Sequence, residues 1–89
     1  MEGGSARIMA KYLLNSIKYV PETDTLRIYI MKTASVYEEV MDNVFITRKA
    51  SNERVKTGVV IYDYKGRKDH DQIRKKLKFL NFEDIDSKI

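Results

Sequence analysis

Apolar and polar residues alternate most regularly between Ser16 and Met31, where Leu26, Ile28 and Ile30 interleave with Arg27, Tyr29 and Met31. A period of two puts the first set on one face of a half-buried strand and the second set on the other. The segment before it ends at Pro21, whose ring fixes its own φ and drives Val20 into extended geometry, so a first strand stops there and the chain turns. Asp24 closes this Pro-Glu-Thr-Asp turn, because its short side chain can bond to backbone groups close by. Two strands around 21–24 are therefore the clearest element of the chain.

Upstream, Ala6–Asn15 fits either a short helix begun by Ser5, with Ile8 and Tyr12 four apart, or an early extension of the first strand. The strand reading is preferred over Tyr12–Val20. Downstream, Lys32–Ser35 breaks the pattern, Val36–Met41 fits a strand or one helical turn, and Asp42-Asn43 is a turn signal. Val44–Lys49 and Thr57–Tyr64 are rich in β-branched and aromatic residues and flank the polar Ser51–Arg54, which predicts a second hairpin. Val59 to Tyr62 are apolar on both faces, as in a central strand covered on each side or meeting a second copy of the chain. Gly58 at its start marks a bulge or a close backbone approach.

Beyond Lys65-Gly66, Asp69 and Gln72 have the spacing of a capping box, and a helix is predicted from His70 to about Asn81. Ile73, Leu77 and Leu80 form its apolar stripe, with Arg74, Lys75 and Lys78 on the far side. Phe82 and Ile85 then tuck the tail back. The expected fold is α+β: an antiparallel sheet of about four strands in two hairpins, with a C-terminal amphipathic helix on one face.

A chain of 89 residues makes one domain, here 9–89, that buries only roughly 60–65% of its unfolded surface, so a partner subunit would help it. Residues 1–8 are read as a disordered tail or a remnant of expression, with Met9 as the natural start. There is no cysteine, which removes disulfides, thiolate metal sites and cysteine nucleophiles and makes the cytoplasm the default. No apolar run approaches the roughly 20 residues of a membrane span, and Met1-Glu-Gly-Gly-Ser lacks the apolar core of a secretion signal.

The net charge of +4 permits an acidic partner without requiring one. It is concentrated between Lys65 and Lys78, where Lys65, Arg67, Lys68, Arg74, Lys75 and Lys78 could neutralise phosphates, although a solvated helix face accounts for them equally well. A second candidate surface is a sheet face carrying Arg27 and Tyr29 on one strand and Tyr62 and Tyr64 on another, each pair pointing one way. Such tyrosines can stack unpaired bases or bury a dimer interface, and with one helix to cover one face the dimer is preferred.

Catalytic chemistry is thinly represented. His70, the only histidine, lies between Asp69 and Asp71, a trio that suits a helix start better than proton transfer. Glu38, Glu39 and Asp42 lack the spacing of a cation loop, no glycine-rich phosphate loop exists, and no serine sits in a nucleophile elbow. The expectation is no enzyme, no metal, no cofactor and no small-molecule substrate.

The hairpin Tyr19-Val-Pro-Glu-Thr-Asp-Thr-Leu-Arg-Ile resembles a family of small prokaryotic domains known as domain of unknown function number 2283, through Tyr19, Pro21, Glu22, Asp24 and Leu26. Thr57-Gly-Val-Val-Ile looks like the return strand of that family's second hairpin, so the resemblance spans 16–63. Arg27 stands where the family usually has an aromatic residue, and the basic terminal helix has no counterpart in it. The resemblance implies a small sheet with a helix, no catalytic residue, and, from members found beside toxin-like genes, an antitoxin or partner-binding role. The expected function is a non-enzymatic interaction module that self-associates as a homodimer. The alternative is a nucleic-acid-binding protein, antitoxin-like or regulatory, that uses the basic 65–78 region.

Overall fold

The computed structural model describes residues 17–89. The expectations for 1–8 and for Ala6–Asn15 lie outside the described residues. Five strands form one antiparallel sheet in the order β1-β2-β5-β4-β3: β1 Ile17–Val20, β2 Thr25–Tyr29, β3 Ser35–Met41, β4 Val44–Lys49 and β5 Asn52–Ile61. Two short helices follow, α1 His70–Lys76 and α2 Phe82–Asp86. The α+β class holds, with one strand more than expected among the described residues and, after the sheet, two short helices in place of one.

The added strand is β3. It lies at the sheet edge, pairs only with β4, and is exposed along most of its length, so burial leaves little alternation in its sequence. Asn43, with φ 62°, makes the turn out of it, and the Glu39 carboxylate accepts from the Asn43 N–H. β5 begins at Asn52, not near Thr57, because Lys49 pairs with Asn52 across a two-residue turn. Residues 52–54 are polar and exposed on both sides, which hides a strand end held by the Asn52–Lys49 pair, by Arg48 donating to the Glu53 carbonyl and by the Asn52 side chain accepting from the Arg54 N–H.

β5 is the central strand, flanked by β2 and β4. Leu26, Ile61 and Val44 align across three strands, as do Ile28, Val59 and Ile46, and together they floor the core beneath the helices. At Gly58 the strands approach closely: a Cβ there would stand 2.5 Å from the Ile28 carbonyl oxygen and 3.1 Å from Thr47 Oγ1. A register shift between Thr47 and Arg48 accompanies it, placing a bulge where the glycine suggested one.

The helix differs most from expectation. Asp69 occupies the N-cap position but makes no side-chain cap bond, because its carboxylate is taken by Arg67. The helix stops at Lys76, and Asn81 begins α2, its side chain accepting from the Asp84 N–H at 3.2 Å. Leu80 and Phe82 are both buried. Residues two apart point to nearly opposite sides of a helix, so burying both breaks the rod between them. Ile73, Leu77 and Leu80 still enter the core, together with Phe82 and Ile85.

Asp24 ties the two halves of the fold together. It sits at φ 51°, a left-handed position that Asp tolerates better than most residues. Its carboxylate accepts from the N–H groups of Lys65 and Gly66, each at 2.9 Å, and from the Tyr19 hydroxyl, while its carbonyl accepts from the Tyr64 N–H. Burial pushes the Asp24 carboxyl up, but these donors outweigh it and hold the group below its ordinary value. The same bond raises the Tyr19 hydroxyl to about 12. Tyr19 and Asp24, two of the residues behind the hairpin resemblance, thus act as one unit that anchors the β5–α1 connection.

Candidate functional site on the open sheet face

The core occupies one face of the sheet. On the other lie the residues that alternate out of phase with it: Thr25, Arg27 and Tyr29 on β2, Val60 on β5, Phe45, Thr47 and Lys49 on β4, and Ser35 and Tyr37 on β3. Lys18 on β1 pairs with Arg27 and shares this face. Among the described residues no helix packs here.

Aromatic rings line up across it. Phe45 meets Tyr37 edge-on with centroids 6.4 Å apart and Tyr62 at 5.9 Å. Tyr37 is 57% exposed, Tyr29 43% and Tyr62 37%. Tyr37 and Tyr62, together with the half-buried Phe45, make one row of aromatic rings on this face.

Arg27 lies between two hollows. The first, a cleft of about 290 Å³, is walled by Tyr29, Tyr37 and Lys32 and floored by Thr47, Thr57 and Ser35. The second, of about 440 Å³, lies beside Tyr62, Thr25 and Asn43, and Arg27 lines both. The Tyr37 hydroxyl, with Tyr29 behind it, holds the Arg27 guanidinium above its ordinary pKa against the opposing effect of burial. Arg27 takes part in none of the ion pairs among the described residues. Lys18, Lys32 and Lys49 add positive charge around it, opposed by Glu39 on β3 and by Asp63 at the rim of the second hollow.

The cleft floor is a chain of hydroxyls. Ser35 Oγ donates to the Thr33 carbonyl at 3.1 Å and lies 2.7 Å from Thr57 Oγ1, which lies 2.8 Å from Thr47 Oγ1. Thr57 is nearly fully buried, turned onto this face by the bulge.

The basic residues singled out between 65 and 78 are distributed differently. Lys65, Lys68, Lys75 and Lys78 are exposed, and Lys65 stands over the Tyr19 ring at 4.7 Å. Arg74 pairs with Asp86 at 3.2 Å. Arg67 is structural: its side chain is 9% exposed, it forks onto Asp69, and it donates to the carbonyls of Tyr62 at 3.0 Å and Asp42 at 2.7 Å. Fork geometry of this kind binds both turns at once, so Arg67 is not available to a phosphate. The set belongs to the helical side of the molecule and forms no single cluster with Arg27.

Tyr64 also leaves the surface assigned to it. β5 ends at Ile61, and Asp63 at φ 53° swings the chain over so that Tyr64 folds into the core. It stacks on Phe82, touches the His70 ring at 5.0 Å and donates to Asp86. Burial, then the bond to Asp86, pushes its hydroxyl pKa up. His70 is therefore packed against a core tyrosine and Asp69 is held by Arg67. No group of three or more potential metal ligands occurs among the described residues.

Of the four residues expected on one surface, the structure brings Arg27, Tyr29 and Tyr62 together and removes Tyr64. It adds Tyr37 and Phe45, which the sequence signalled only through Phe45, Thr47 and Lys49 alternating out of phase with Val44 and Ile46. No family model, curated protein or solved structure matches this chain. Among the described residues no helix is long and apolar enough to cross a membrane.

Proposed function

We propose that the protein is a non-enzymatic binding module whose open sheet face takes single-stranded nucleic acid. The observation that carries this reading is Arg27 standing between two adjoining hollows, one walled by Tyr29 and Tyr37 and the other by Tyr62. A strand offers the same alternation, flat bases separated by a phosphate. Sheet aromatics supply stacking of about 1–3 kcal/mol per base, and nearby cations hold the backbone.

Self-association through the same face is the second reading, favoured by the Tyr37–Phe45–Tyr62 row. Charge separates the two. A symmetric pair would gather Lys18, Arg27, Lys32 and Lys49 of both copies into one interface, with Glu39 and Asp63 of each to offset them, whereas a polyanion complements the excess.

The test is fluorescence anisotropy of a labelled oligo-dT across a salt series, alongside light scattering on a sizing column. Binding at low salt should weaken with a log–log slope of about −2 to −3 if three or four cations meet phosphates. Arg27→Glu should lower affinity at least about tenfold with an unchanged melting temperature. A protein that dimerises and ignores the oligonucleotide supports the second reading and overturns the first. Binding unaffected by Arg27→Glu would move the site elsewhere.

A further inference from the structure

The polarity of the cleft floor follows from asking which placement of its hydroxyl protons keeps every contact bonded. Ser35 has one hydroxyl proton, and the Thr33 carbonyl can only accept, so that contact is bonded only when Ser35 gives its proton there. The Ser35–Thr57 contact then requires Thr57 to donate, and the Thr57–Thr47 contact requires Thr47 to donate in turn. All three protons point along the chain toward Thr33. What Thr47 has left for the cleft is its acceptor lone pairs.

Gly58 leaves room beside that hydroxyl: a Cβ on residue 58 would lie 3.1 Å from Thr47 Oγ1. Around the mouth the polarity is reversed, because the Arg27 guanidinium and the Lys32 ammonium only donate. A ligand that suits the cleft therefore carries hydrogen-bond donors at its inner edge and acceptors at its outer edge. At about 290 Å³ the space suits one ring system, below the range of most drug-sized ligand sites.

Resting on the reading of the open face as a single-strand site, we propose that this cleft selects a base with an exocyclic amino group, cytosine or adenine, over thymine or uracil. The amino group donates to Thr47 Oγ1 while the ring stacks on Tyr29 or Tyr37. Thymine and uracil present carbonyl oxygens at the corresponding position, which meet lone pairs instead of a proton. Leaving such buried polar atoms unpaired discriminates more sharply than an added contact does.

The test compares oligo-dC with oligo-dT of about a dozen residues at neutral pH and one salt concentration, two pyrimidines that differ at the 4-amino group, at N3 and by the thymine methyl, with oligo-dU as the control for the methyl. Oligo-dC should bind about tenfold tighter, in the range of a good polar base contact. Thr47→Val keeps the shape of the side chain and removes both the acceptor for the amino group and the lone pairs that oppose the thymine carbonyl, so it should abolish the preference by weakening oligo-dC and leaving oligo-dT no weaker than in the wild type. Ser35→Ala provides a second variant: without Ser35 the Thr57 proton is free to turn to Thr47, whose own O–H then faces the cleft, and the preference should shrink or reverse. Equal affinity of the wild-type protein for the two strands overturns the selectivity and leaves the single-strand reading standing. Absence of binding to either strand overturns both. A preference retained in Thr47→Val overturns the role of the hydroxyl floor.

Discussion

Replacing Asp24 tests the joint between the first turn and the β5–α1 connection. The Asp24 carboxylate accepts from two backbone N–H groups at 2.9 Å and from the Tyr19 hydroxyl. Hydrogen bonds to a charged group contribute about 1.5–3 kcal/mol each, and these lie near water, so the lower end applies to the backbone pair. Alanine at φ 51° adds about 1–2 kcal/mol of backbone strain. Asp24→Ala should thus cost about 4–5 kcal/mol even before the Tyr19 bond, a large part of the roughly 5–15 kcal/mol that holds a domain of this kind together. At about 4–8 °C per kcal/mol, the melting temperature should fall by about 15–40 °C. Asp24→Gly separates the contributions, since glycine accepts the left-handed backbone and loses only the bonds. Thermal unfolding followed by circular dichroism should order the proteins wild type, Gly, Ala. If both variants melt within a few degrees of wild type, the carboxylate is not the anchor and the turn stands without it.

Gly58→Ala should destabilise the protein by about 1–3 kcal/mol in urea unfolding, because the new methyl meets the Ile28 carbonyl oxygen, a backbone atom of a neighbouring strand; a neutral result would show that the two strands separate freely. Arg67→Lys should cost about 1–3 kcal/mol in the same assay, since an ammonium cannot span Asp69 and the carbonyls of Asp42 and Tyr62 together, and wild-type stability in the lysine variant would refute the need for a fork. Stability should have a plateau bounded at both ends. Tyr64 is raised above its ordinary 10.0, so its contribution is complete below pH 10 and is lost as pH climbs beyond it. Asp24 and Asp69 are lowered from 3.8, so theirs is complete above pH 4 and is lost as pH falls through the carboxylate range. The Tyr19 hydroxyl, raised to about 12, adds to the same alkaline limb, so Tyr64→Phe should make that limb shallower without touching the acid limb, and an unchanged alkaline limb would assign it to Tyr19 alone.

Much of the sheet was legible in the sequence because burial imposes a period of two. Leu26, Ile28 and Ile30 carry that signal, and the Pro21–Asp24 turn and Gly58 carry local backbone signals that the structure bears out as a turn and a bulge. β3 was ambiguous and the first residues of β5 were missed for the opposite reason: at an exposed edge or hairpin end, hydrogen bonding holds the strand and the side chains carry no period. The sequence predicts too long a helix because an i, i+4, i+7 stripe in Ile73, Leu77 and Leu80 is satisfied equally by one helix or by a helix, a turn and Leu80 packing from the turn. Only the burial of Phe82 separates these. In the candidate site, Arg27, Tyr29 and Tyr62 could be placed from alternation. Tyr64 could not, since a left-handed Asp63 resets the phase, and Arg67 could not, since the Asp42 carbonyl that helps to bury it is 25 residues away in the chain.

The strand order β1-β2-β5-β4-β3 divides the sheet into two pieces that form from neighbouring sequence, the hairpin β1–β2 and the meander β3–β4–β5. Only the seam between β2 and β5 joins residues far apart in the chain, Leu26 with Ile61 and Tyr29 with Gly58. Closing that long loop is the slow, entropically costly step in such a topology. The cleft straddles the seam, with Arg27 and Tyr29 from one piece and Ser35, Tyr37, Thr47 and Thr57 from the other. No partly assembled chain presents both walls. A ligand of this cleft is thus a conformational probe of the completed sheet, and its occupancy should slow the rate at which the hairpin comes away from the meander before it alters the fraying of either.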